Sequence, residues 1–159
     1  MDLDVLVADS VVVAEAKLYV QGGGWNMLSV GELPVRLARI GLGLSLRLGR
    51  SEVGAAHELL IRLVDPDGVP FGLAGGADGK GDGLVIKLPG ATGVLPDFVS
   101  DIVIPQALNI DGLEFTKPGI HHFVFVFDGR EVRRVSLSVV LANRGGDEKV
   151  GEILTGQYL

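Results

Sequence analysis

Residues 41–48 read GLGLSLRL, with leucine at every second position. A strand turns successive side chains to opposite faces, so Leu42, Leu44, Leu46 and Leu48 share one face and Gly43, Ser45 and Arg47 the other. The same period predicts a strand over 57–64 with Leu59, Ile61 and Leu63 inward, and another over 84–88. The longest β pattern is 120–140, IHHFVFVFDGREVRRVSLSVV. Asp128-Gly129 accepts positive φ at little cost, so it closes a tight hairpin between two runs. In the first run His121, Phe123, Phe125 and Phe127 share a face, and His122, Val124 and Val126 share the other. Apolar groups on both faces predict a central strand. The return run is one-sided, with Val135, Leu137 and Val139 toward a core and Arg134, Ser136 and Ser138 toward water.

The remaining elements are shorter. Runs at 3–8, 11–13 and 17–20 read as strands, broken at Asp9-Ser10 and at the AEAK stretch of 14–17. That stretch is too short for a stable helix and lies between β-branched residues, so a connection is expected. Gly22-Gly23-Gly24 ends any regular element ahead of Trp25. Asp65-Pro66-Asp67-Gly68 is a turn, since Pro presets φ at its second position and Gly takes the last. Residues 69–73 are expected to pair back as an edge strand, because Pro70 has no N–H for a ladder. A strand over 98–104 is expected to stop at Pro105 and resume over 107–115.

About eight or nine short strands with no long helix predict an all-β fold, an antiparallel β-sandwich of immunoglobulin-like or jelly-roll type. Residues 1–142 form a single sandwich domain in this reading, and 143–159 form a polar C-terminal tail with an apolar end.

Composition narrows the function. The chain has 159 residues, enough to bury a core without staples, and it has no cysteine. A disulfide framework, a thiolate metal site and a Cys nucleophile are therefore excluded. The net charge of −6 disfavours nucleic acid, which needs a basic surface. No run reaches the roughly 20 apolar residues that span a bilayer. The acidic start MDLDV lacks the basic region of a secretory signal, so a cytoplasmic protein is expected, with no membrane partner.

Two portions, VLVADSVVVAEAKLYVQGGGW at 5–25 and LNIDGLEFTKPGIHHFVFVFDGREVRRVSLSV at 108–139, resemble an uncharacterised family of bacterial β-sandwich domains. The resemblance implies two strands reaching a Gly-rich turn, then a Pro-Gly turn and a tight Asp-Gly hairpin. His121-His122 stands where such sequences carry a Tyr beside the strand start. The resemblance implies a fold and carries over no catalytic or ligand residues.

The chain's imidazoles are His57, His121 and His122. His121 and His122 are adjacent on a strand and so cannot bind one metal together; no metal site or cofactor is expected. No serine stands in a nucleophile elbow, and no catalytic residue is assigned. The acidic loop 77–83 lacks EF-hand spacing and carries Lys80 where an ion would sit. Gly22, Gly23, Gly24 and Trp25 form the candidate binding turn, although neither a following helix nor a Walker lysine supports phosphate binding. Ile153, Leu154, Tyr158 and Leu159 form an apolar anchor able to dock on a neighbouring subunit. The expectation is a non-enzymatic sandwich acting by self-association or with a protein partner, in its sharper form a jelly-roll shell or ring subunit. The alternatives are a small-molecule or carbohydrate-binding module using the loops at 21–33, 72–83 and 89–98, and a hydrolase.

Overall fold

The computed structural model describes residues 1–73, 83–90 and 95–142. Among them the chain is all-β. Its strands are β1 (Asp2–Ala8), β2 (Ser10–Ala14), β3 (Lys17–Gln21), β4 (Met27–Val30), β5 (Val35–Arg36) and β6 (Arg39–Gly49), followed by β7 (His57–Val64), β8 (Leu84–Leu88), β9 (Asp101–Asp111), β10 (Glu114–Phe115), β11 (Gly119–Phe127) and β12 (Arg130–Leu141). The count exceeds the expected eight or nine chiefly because β4, β5 and β10 have only two to four residues. Runs that short show no periodicity of their own.

Two sheets make the sandwich, one ordered β1-β6-β9 and the other β4-β12-β11-β7-β8. Every pair is antiparallel except β4, which runs parallel to β12. The inner faces follow the sequence pattern. Leu42, Leu44 and Leu46 are fully buried opposite Phe123, Phe125, Ile61 and Leu137, and all belong to one continuous core cluster. Each such side chain contributes about 1.5–3 kcal/mol when buried. Strand β11 is central, between β12 and β7. Asp128 and Gly129 take φ of 46° and 81°, the positive pair that a two-residue hairpin turn requires.

The alternation of leucine with small residues in β6 has a second purpose. Strands β2 and β3 form their own hairpin, closed at Glu15-Ala16, and it packs on the outer face of β6 and β9 as a third layer. A Cβ at Gly43 would lie 3.1 Å from Leu18 Cδ2, and one at Gly41 3.1 Å from the Ser10 backbone. Glycine there lets the hairpin sit close. Asn109 of β9 clamps it: the Val11 N–H donates to Asn109 Oδ1 at 3.0 Å, and Asn109 Nδ2 donates to the Val11 carbonyl at 2.8 Å.

Two expectations need correction. Strand β9 runs straight through Pro105, which pairs with Ser45. On an edge strand one side of the backbone has no ladder, so the missing N–H is accommodated when it faces outward. Over 69–73 the chain does pair back, but through a single bridge between Val64 and Pro70 rather than a strand, with 2.9 Å hydrogen bonds from the Asp65 N–H to the Val69 carbonyl and from the Phe71 N–H to the Leu63 carbonyl.

Candidate functional site

His57 begins β7, beside the β11–β12 turn. Its Nδ1 lies 2.7 Å from Asp128 Oδ2 and its Nε2 2.8 Å from the Glu52 carbonyl. A carboxylate and a carbonyl are both acceptors, so the geometry asks both ring nitrogens to donate. The hydrogen bond that His57 donates to Asp128, then the one it donates to the Glu52 carbonyl, raises the imidazole above its ordinary pKa. The Asp128 carboxyl is lowered by the Glu58 N–H and by His57. Asp128 Oδ1 accepts from that N–H at 2.9 Å, and the ring stacks on Phe127 with centroids 4.8 Å apart. An imidazolium with both protons engaged has no lone pair for a substrate proton. The arrangement ties the principal hairpin to β7.

His121 is the other case. It is 1% exposed on the core face of β11, edge-on to Phe115 at 5.0 Å and to Phe71 at 5.5 Å. Burial lowers its pKa, so the ring is neutral at pH 7. Nδ1 lies 3.2 Å from the Gly119 carbonyl, which can only accept, so the proton is on Nδ1 and Nε2 carries the lone pair. Among the described residues Nε2 has no hydrogen-bond partner. The ring forms part of a cleft of about 410 Å³ between the 65–72 segment and the 111–116 segment, with Phe71, Leu113 and Thr116 also lining it.

Three carboxylates ring the cleft: Asp65, Asp111 and Glu114. Asp65 is lowered in pKa first by Lys117, whose Nζ is 2.7 Å away, and it also accepts the Asp67 and Val69 N–H groups of its turn. Asp111 is lowered by a two-pronged bond from Arg39, at 2.6 and 3.0 Å. Glu114 has no ion-pair partner among the described residues. Arg36, opposite it across β5–β10, instead donates Nε to the Gly112 carbonyl at 2.9 Å.

The other sequence candidates lie elsewhere. His122 points to the opposite face from His121 and meets Ser136 Oγ at 3.2 Å. Of the candidate turn Gly22, Gly23, Gly24 and Trp25, close packing requires glycine at Gly22 and Gly23, and a φ of 92° favours it at Gly24. A Cβ at Gly22 would collide with the Asp9 carboxylate, and one at Gly23 would be 2.6 Å from Val20 Cγ1 and 2.9 Å from Leu6 Cδ2. Trp25 folds half-buried against the core, its Nε1 enclosed without a partner. Among the described residues no three His, Asp or Glu side chains converge to hold a metal ion. No helix there is long and apolar enough to cross a membrane. Ile153, Leu154, Tyr158 and Leu159, and most of the acidic loop 77–83, lie outside the described residues. Sequence reasoning missed the cleft and the His57–Asp128 pair. Its only signal was that His121 falls on the phenylalanine face.

The fold and its surface define a β-sandwich domain with a third-layer hairpin. The chain belongs to a family of unknown function, DUF6941, whose profile matches residues 3–140. No curated protein matches it. Among solved structures it is similar to Pseudomonas fluorescens alkylpurine DNA glycosylase AlkC bound to DNA containing an abasic site analog. There the identity is 15%, the TM-score 0.34, and the match covers 72% of this chain and 27% of that one. A likeness of that degree carries no functional argument.

Proposed function

We infer that this domain is a non-enzymatic, self-associating β-sandwich of the bacterial cytoplasm, assembling with copies of itself into a ring or shell. The observation that carries this reading is the apolar outer surface of the β2–β3 hairpin. Val12 and Tyr19 stand directly opposite one another there, 55% and 49% exposed. Val20 and Leu6, 36% and 39% exposed, meet around Gly23 on the other face of the hairpin, at the edge of its contact with the sheet. An exposed apolar pair that includes an aromatic is a surface of the kind interfaces use. A two-fold contact would set Tyr19 of each copy on Val12 of the other. The tail residues Ile153, Leu154, Tyr158 and Leu159 supply a second apolar anchor in this reading. The geometry of His57 is consistent with a structural role, since both of its ring nitrogens are engaged by acceptors within the fold.

Mass photometry and light scattering test the proposal. The intact chain is expected above monomer mass, and V12K/Y19E is expected to fall to monomer with its β circular-dichroism spectrum intact. Deleting 143–159 is expected to lower the mass of the particle. A monodisperse monomer at about 100 μM, far above the Kd expected for a specific interface, would sink it.

A further inference from the structure

We propose that the cleft over His121 binds an organic cation bearing N–H donors, an alkylammonium or guanidinium group. The floor decides the hydrogen-bond sense. With Nδ1 committed to the Gly119 carbonyl, His121 offers only the Nε2 lone pair and therefore selects a donor. Phe71 and Phe115 hold the ring edge-on, so the acceptor is fixed in place before any ligand arrives. The rim decides the charge. Lys117 and Arg39 already occupy Asp65 and Asp111, while Glu114 keeps its negative charge without an ion-pair partner among the described residues. An anion would meet the Glu114 carboxylate, unpaired among the described residues, and a lone pair, with the cations beside Asp65 and Asp111 already engaged. A cation would meet Glu114, the acceptor nitrogen and the Phe71 ring, an environment that suits a charged head on an apolar stem. A volume of about 410 Å³ is of the size of a small-molecule site and holds such a group with its stem. The inference is independent of self-association.

The test is a titration of the full-length, isotope-labelled chain with methylguanidinium chloride, read on the three histidine ring resonances. Sodium acetate at equal ionic strength is the control. The expected result is a saturable shift of His121 alone, with a Kd on the order of 1–10 mM for so small a probe. H121F, which keeps an aromatic ring and removes the acceptor, is expected to abolish saturation at the Leu113 and Glu114 amides. E114Q, at an exposed position that folding tolerates, is expected to weaken binding about tenfold. A shift that rises linearly without saturating overturns the proposal, as does an equal response to acetate. Unchanged affinity in E114Q overturns it even if H121F fails to fold.

Discussion

Two histidines near opposite ends of the β7–β11 ladder show how one side chain is set to opposite states by its surroundings. His57, at the turn end, has an acceptor at each nitrogen and a carboxylate 2.7 Å away, which favours the charged ring. His121, at the other end, lies between two phenylalanines with one carbonyl for company, and burial favours the neutral ring. Both have a raised or lowered proton affinity for a local reason, and neither reason is the residue itself. The charged ring is fully spent on the fold. The neutral one keeps a nitrogen without a partner among the described residues and lines a cleft.

The widest gap between them comes from forcing a charge on each. H121K would put an unpaired ammonium among Phe71, Phe115 and Leu137, costing more than about 4 kcal/mol and unfolding a marginal domain. H57K keeps a donor beside Asp128 and is expected to lose only about 1 kcal/mol; chemical denaturation measures both. Equal losses would dissolve the comparison.

Next in size are the pH profiles. The folded pKa of His57 is raised, so its stabilisation is complete below about pH 6.5 and is lost as pH rises through the folded value. The folded pKa of His121 is lowered, so its share is intact above about pH 6.5 and is lost as pH falls through the folded value. Urea midpoints at pH 5, 6.5 and 8 should therefore lose their alkaline decline in H57Q and the histidine part of their acid decline in H121F. A profile unchanged in either variant would reject that assignment.

D128N sharpens the same point more gently. It keeps an acceptor for the Glu58 N–H and removes the charge, so the His57 resonance is expected to titrate closer to pH 6.5 while His121 is unaffected. The smallest effect belongs to S136A, which removes an exposed contact of His122 and is expected within ±0.5 kcal/mol.

The alternation of Leu42 to Leu48 and of Phe123 to Phe127 was enough to assign β6 and β11 and the faces they bury. It also placed His121 and His122 on opposite faces of one strand. Asp128-Gly129 and Asp65–Gly68 announced their turns through backbone preference. Other features were not legible in this way. Pro105 reads as a stop, and only its place on an edge strand lets β9 continue through it. Gly41 and Gly43 read as mere gaps between leucines, whereas they are the seat of the β2–β3 hairpin. The candidate turn at Gly22–Trp25 was visible as a glycine run, but its steric reason, the approach of Asp9, Leu6 and Val20, was not.

By itself, the order of residues determined that this is a sheet protein, which side chains point inward, and where its tight turns fall. Those properties follow from period two and from local φ preference, both of which act over a few neighbouring residues. Only the tertiary structure decided that His57 meets Asp128, 71 positions away, that His121 closes the floor of a cleft, and that a hairpin forms a third layer. Proton affinity and hydrogen-bond partnership depend on which groups come within about 3 Å, and chain folding brings those groups together from segments far apart in the sequence.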